Sequence, residues 1–297
     1  MSAVSVHAPA KLNLFLAITG RRPDGFHDLV SVVAPLQWGD TVRAEAGAPG
    51  EFALACDDPA VPVDGTNLIL RAARAWAEAT RWPGGATFFL EKRIPMGAGL
   101  GGGSSDAVAA LKALEALAGA AWRLPATELA AVAARIGSDC PLFLADGPVV
   151  MRGRGERVER LAAEAARRLT GRRVLVFKPG FGIATPWAYA QLAAGAPQSY
   201  LPADAAEARL AAWLADAKEP AEALLLNTME PPAFAKFVAL PTLLEQLRGR
   251  FGLAPRMSGS GSACFALLDE AAEAGPAVAA IRAAWGPSAF VTETRLA

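Results

Sequence analysis

The chain predicts strands and helices packed in alternating layers, an α+β or α/β fold, and three features of its 297 residues carry that prediction. The opening segment alternates apolar and polar residues at period two. Stretches with apolar residues at helical spacing follow it at intervals. After a run of charge and alanine over 161–168, the segment 172–178 (RRVLVFK) starts a fresh strand. A boundary placed there divides the chain into two moderate domains, 1–168 and 169–297.

The first strand reads in detail. Val4, Val6, Ala8, Ala10, Leu12, Leu14, Leu16 and Ile18 fall on one face, the core face, because successive side chains of a strand point to opposite sides. Lys11 and Asn13 share the other, mostly polar face, which is either solvated or lines a site. Arg22-Pro23-Asp24-Gly25 is a turn, with Pro presetting one φ and Gly accepting the unusual one. It returns Phe26 and His27 beside the strand. Asp64-Gly65-Thr66-Asn67 reads as a turn and then a cap, opening a helix through Leu68, Ala72, Ala75 and Trp76. A strand is expected over 86–91. Beyond it, Val108, Leu111, Leu114 and Leu117 mark a helix with Ser104 placed to cap it. A short amphipathic helix over 127–136 ends at Gly137, and 149–151 with 156–158 flank Arg152-Gly153-Arg154-Gly155 like a hairpin. The second half then reads as the strand 172–178, helices over 186–192, 203–215 and 240–252, and a glycine turn at 258–262. The strand 264–268, a further helix and a last strand near Phe290 complete it.

Composition excludes several function classes. Lys plus Arg equals Asp plus Glu at 29 each, so broad electrostatic capture of nucleic acid or of an anionic membrane is not expected. No apolar stretch reaches the roughly 20 residues of a membrane helix, and the N-terminus lacks a basic stretch followed by an apolar run, so neither a span nor a signal peptide is expected. Cys56, Cys140 and Cys264 are far apart and lack a C-x-x-C spacing. A reducing, cytoplasmic setting follows more simply than a disulfide framework or a metal cluster, and no metal-ligating residue is assigned.

The most informative stretch is Pro95-Met96-Gly97-Ala98-Gly99-Leu100-Gly101-Gly102-Gly103-Ser104-Ser105. Glycines let a backbone approach a ligand closely, and the helix behind them offers unpaired N–H groups with a partial positive charge. Together these make an anion site, and a nucleotide phosphate is the expected anion. A bare glycine run also serves as a linker; the strand before it and the helix after it favour the site. It is not a P-loop, since Ser104, Ser105 and Asp106 follow Gly103 where that pattern needs lysine. Backbone amides, the helix dipole and two serine hydroxyls must therefore hold the phosphates. Asp106, in the first helical turn, favours the dipole or makes an outer contact to Mg²⁺. Asp139 reads either as a helix cap or as a base for phosphoryl transfer.

This loop resembles the phosphate-binding motif of the GHMP kinases. So do Ala8-Pro9-Ala10-Lys11-Leu12-Asn13-Leu14 with Arg22 to His27, the segment from Gly137 to Phe143, and the segment from Met257 to Phe265. Four blocks in order over nearly the whole length make the match specific. It implies a two-domain α+β GHMP kinase-like fold with the active site in the cleft between the domains, ATP as phosphoryl donor and Mg²⁺ with it. By resemblance, Lys11 and Asp139 form the catalytic pair. Pro95 to Ser105 hold ATP, with Asn67 and Lys92 bordering the adenine. The implied acceptor is a small cytidine diphosphate-linked polyol: Phe26 stacks on the cytosine ring, where relatives usually carry tyrosine, and His27 reads its edge. Asn13, Thr185 and Tyr189 make further contacts. The second glycine cluster, 258–262, is expected to line the acceptor's diphosphate with backbone amides. Asn227-Thr228-Met229-Glu230 resembles an Asn-Asp-Leu-Glu segment in which Thr228 replaces the acid. Two rival readings remain. One is a related kinase acting on homoserine, a sugar or mevalonate, whose acceptors offer no base to stack. The other is a nucleotide-binding regulator that needs neither Lys11 nor Asp139.

Overall fold

The structure is a computed structural model that describes residues 3–297. Its contacts divide into two interleaved units. One takes the chain up to Ala10 with Trp38–Ile94 and Gly101–Asp146; the other takes Lys11–Gln37, Pro95–Leu100 and Gly147–Ala297. Two long strands, β1 (Val4–Arg21) and β2 (His27–Gly47), contribute residues to both.

In the first unit the later part of β2 pairs antiparallel with β4 (Gly85–Glu91), from Gly47↔Gly85 to Thr41↔Glu91. β3 (Phe52–Cys56) lies parallel on the far side of β4. Helices α1 (Leu68–Thr80), α2 (Gly102–Ala118) and α3 (Ala126–Ile136) pack on one another. Of the residues read at helical spacing, Ala72 and Trp76 on α1 and Val108, Leu111 and Leu114 on α2 are buried, while Leu68 and Ala75 are half-buried. Asn67 caps α1 as expected, its Oδ1 accepting from Ile69 N at 2.9 Å.

In the second unit the early part of β2 pairs with β5 (Val149–Gly153), and β5 with β6 (Arg157–Arg160), the expected hairpin. After α4 (Ala163–Arg167), β7 (Arg173–Lys178) enters a four-stranded antiparallel sheet. Next come α5 (Thr185–Ala194), α6 (Ala203–Ala215), α7 (Ala221–Leu224) and β8 (Leu226–Asn227), which runs parallel to β1. Beyond them lie α8 (Glu230–Lys236), α9 (Ala239–Phe251), β9 (Arg256–Met257), β10 (Cys264–Leu268), α10 (Gly275–Trp285) and β11 (Phe290–Arg295). The sheet order is β11-β7-β10-β9. Leu175 and Phe177 of β7 meet Leu192, Leu240, Leu244 and Ile281 from the helices in this unit's core. Among the described residues, no helix is long and apolar enough to cross a membrane.

Two readings change. The alternation of β1 holds only to Ala10; from Lys11 to Ile18 every residue is buried, so the face of Lys11 and Asn13 is enclosed rather than solvated. The cap of α2 is Gly101, at φ 73°, and not Ser104. A left-handed glycine turns the chain early, so Ser104 and Ser105 fall inside the first turn and Asp106 in the second.

Candidate active site

The candidate residues fall in four clusters, each inside one unit. The first is the start of α2. Ser105 N bonds back to Gly101 O at 2.9 Å, while the earlier N–H groups of the helix have no intrahelical partner by geometry. They and the dipole suit a phosphate. Ser105 Oγ is buried and has no hydrogen-bond partner among the described residues. Burial pushes the Cys140 thiol up to about 11, with the nearby Ser104 hydroxyl opposing that rise. A Cβ on Gly137 would lie 3.3 Å from Cys140 Sγ and 3.7 Å from Ser104 Oγ, so α2 and the turn carrying Asp139 lie close together. This turn leaves α3 at Gly137 and enters a 3₁₀ turn at Cys140–Leu144. Asp139 precedes it with φ −86° and ψ −9°, and its side chain makes no capping bond. The helix-cap reading is therefore not realised; the carboxylate is half-buried and uncommitted to a cap.

The second cluster was not read from sequence as a unit. Asp40 is fully buried and accepts from Lys92 Nζ (2.5 Å), Arg93 N (2.5 Å) and Ile94 N (2.7 Å). Lys92 also donates to Asp106 Oδ2 at 2.9 Å, and Asp106 Oδ1 is buried without a hydrogen-bond partner among the described residues. A Cβ on Gly102 would come within 3.0 Å of Lys92 Nζ, so the ammonium lies directly against the start of α2. Lys92 is thus committed to two carboxylates, and Asn67, besides its cap, donates to Pro62 O at 2.7 Å. Burial, with Asp40's charge adding to it and Lys92 opposing it, pushes the Asp106 carboxyl up to about 7. A raised carboxyl stabilises the fold below its unfolded pKa, and that stability is lost as pH rises toward the folded value. The ligand-free protein should therefore lose stability between about pH 4 and 7, at most about 1.4 kcal/mol per pH unit for one proton. Asp106→Asn should remove that slope in thermal unfolding scans. An unchanged slope would show that Asp106 is ionised throughout.

The third cluster surrounds Lys11, which is 4% exposed. Its Nζ donates to Asn13 Oδ1 (2.5 Å), two residues along the same strand face, and to Gly99 O of the glycine loop (2.8 Å). Asn13 Nδ2 donates to Ser31 Oγ, and Ser31 Oγ to Phe15 O. Ser258 Oγ donates to Gly99 O at 3.1 Å and accepts from Asn13 N at 3.3 Å, joining the second glycine turn to the first. A Cβ on Gly99 would lie 2.3 Å from Ser258 O, so only glycine fits there. Asn227 Nδ2 fastens that turn by donating to Met257 O (2.7 Å) and Gly259 O (2.9 Å), and Glu230 accepts from Met257 N. Thr228, in place of the expected acid, bonds β1 instead: its Oγ1 accepts from Ile18 N at 2.9 Å. Within the second glycine turn, Ser258 N and Gly261 N are spent on Ala263 O and Ser258 O.

The fourth cluster is aromatic. Phe26 is 50% exposed, with the Arg154 guanidinium 5.0 Å from its ring centre. His27 is buried beside both tyrosines of the chain: Tyr189 at 5.0 Å between ring centroids, and Tyr200, whose hydroxyl is 3.2 Å from His27 Nε2. Burial, then the charge of Arg21, holds the imidazole pKa below its ordinary value. Thr185 Oγ1 bonds Ser260 Oγ at 2.9 Å, so the expected acceptor residues gather in this unit. Tyr200, Asp40, Ser31 and Asn227 were missed as site residues, since their partners lie 18 to 173 positions away.

A helix start suited to an anion in one unit, and in the other a buried β1 ammonium bonded to the glycine loop, each suit phosphoryl transfer, which needs positioning and charge stabilisation more than covalent help. Models of the GHMP kinases N terminal domain and the GHMP kinases C terminal match residues 67–147 and 206–287, and the chain belongs to the GHMP kinases. It is 38% identical over 281 residues to 4-diphosphocytidyl-2-C-methyl-D-erythritol kinase of Prochlorococcus marinus (strain MIT 9313), covering 91% of this chain and 86% of the relative. A crystal structure of 4-(cytidine 5'-diphospho)-2C-methyl-D-erythritol kinase superposes with a TM-score of 0.78 at 38% identity, covering 99% of this chain and 100% of that one. Homoserine kinase from Cytophaga hutchinsonii follows at a TM-score of 0.76 and 17% identity, covering 100% and 95%; that likeness speaks to the fold alone. The α+β kinase fold expected from the sequence is thereby established, and the chain is a phosphotransferase with ATP as donor.

Proposed function

We propose that this chain transfers the γ-phosphoryl group of ATP to the 2-hydroxyl of 4-diphosphocytidyl-2-C-methyl-D-erythritol, in the non-mevalonate route to isoprenoid precursors. The observation that carries the reading is the Lys11 ammonium, buried and bonded to Gly99 O of the glycine loop. In this reading residues 95–105 receive the triphosphate in the 1–168 part of the chain, and Lys11 stabilises charge on the transferring group. Asp139 orients the acceptor hydroxyl and takes its proton as the new O–P bond forms and ADP leaves. Phe26 and His27 hold the cytosine, with Asn13, Thr185 and Tyr189 beside the acceptor. The residues fit a divalent ion: Ser105 Oγ and Asp106 Oδ1, in the first two turns of α2, are buried oxygens without hydrogen-bond partners among the described residues. Mg²⁺ prefers phosphate oxygens and few protein ligands, and when bound it neutralises phosphate charge. The three thiols are free, which supports a cytoplasmic setting.

Pure protein with ATP, Mg²⁺ and this acceptor should yield ADP and the 2-phosphate one for one, and free cytidine nucleotides should compete with the acceptor. Absence of ADP at high enzyme concentration would overturn the reading. Turnover without cytidine competition would instead favour an acceptor that carries no base.

A further inference from the structure

His27 and Tyr200 meet through a rigid support. Tyr200 follows α5 in a short turn in which Ser199 Oγ donates to Leu192 O at 2.6 Å and Tyr200 N to Pro197 O at 3.1 Å. The next amide, Leu201 N, donates to Ile18 O of β1 at 3.1 Å. The phenol is therefore fixed from both sides, 3.2 Å from Nε2 of a buried imidazole. A phenolic O–H is a good donor and its ring-conjugated oxygen a poor acceptor, while a neutral imidazole nitrogen is a good acceptor.

We infer that Tyr200 is a positioning residue that donates to His27 Nε2, keeping the imidazole proton on Nδ1 and fixing the tilt of the ring. The lowered pKa of His27 agrees with a neutral ring that needs such a choice of tautomer. The consequence for the acceptor rests on the function proposed above. An Nδ1–H donor complements the N3 and O2 acceptors of cytosine, whereas uracil presents an N3–H that would meet it donor to donor. Tyr200 would then set the preference for a cytidine-linked acceptor over a uridine-linked one without touching either.

The chain has two histidines, so ¹⁵N imidazole spectra of the full-length protein can be assigned with a single His7→Gln control. At a pH where the ring is neutral, His27 should show a protonated Nδ1 and a bare Nε2, and Tyr200→Phe should move it toward the Nε2–H form. In kinetics, Tyr200→Phe should raise the acceptor KM about five- to tenfold, the worth of one lost hydrogen bond. The ATP KM should hold, and discrimination against the uridine analogue should fall. A wild-type His27 with its proton on Nε2 overturns the inference, as does a Tyr200→Phe enzyme with an unaltered acceptor KM. Failure of the wild-type enzyme to turn over the acceptor would count against the proposed function, while the tautomer measurement would still decide the role of Tyr200.

Discussion

Lys11→Ala should lower kcat by at least about a hundredfold, the usual effect of removing a charge aimed at the transition state. It should also weaken the fold. The ammonium satisfies Asn13 Oδ1 in a buried setting, whereas Gly99 O keeps its bond from Ser258 Oγ, and an orphaned buried acceptor costs about 1–3 kcal/mol. Asp139→Asn should match the loss of turnover yet leave thermal unfolding nearly unchanged, because the carboxylate makes no capping bond. Steady-state kinetics and unfolding curves on the two variants test this split. Near-normal turnover in both would remove the proposed pair from the chemistry.

The largest loss of stability is expected at Asp40. Asp40→Ala removes the acceptor for two backbone amides and one of two partners of a buried ammonium. Breaking a buried ion pair on one side costs about 3–5 kcal/mol. Part of this is offset, since Asp106 ionises more readily without Asp40's charge beside it. Urea unfolding should show the midpoint falling with the slope unchanged. A loss below about 1 kcal/mol would mean that water or a shifted Asp106 replaces Asp40. The effect should extend to nucleotide affinity, because Arg93 and Ile94 lead the chain from β4 toward the glycine loop and Lys92 lies against Gly102.

What could be read from the sequence follows the range of the interactions involved. Elements set by local pattern emerged closely: α6 at Ala203–Ala215 and β10 at Cys264–Leu268 match their expected bounds, and the period of α2 places Val108, Leu111 and Leu114 in the core. β2 escaped notice although it is 21 residues long, and it carries Pro35 and Gly39, residue types that weaken a strand pattern. The structure explains Gly39: a Cβ there would lie 2.1 Å from Ala8 O, so glycine marks a close backbone approach rather than an end. Asp40, directly after that glycine, looks like a turn residue until Lys92, 52 positions on, is seen against it. Lys11 and Asn13 were recognised, but their burial was not, since alternation cannot tell a strand face that water covers from one that distant residues such as Ser258 cover. Tyr200 sits in a stretch without periodicity, and only the fold brings it to His27.

The most direct test is a crystal structure with a non-hydrolysable ATP analogue and the cytidine-linked acceptor bound together. The mechanism predicts the γ-phosphate at the start of α2, with Lys11 Nζ about 3 Å from one of its oxygens and the acceptor 2-hydroxyl within similar reach of Asp139. A terminal phosphate seated away from Lys11, or an acceptor hydroxyl beyond reach of Asp139, would contradict it.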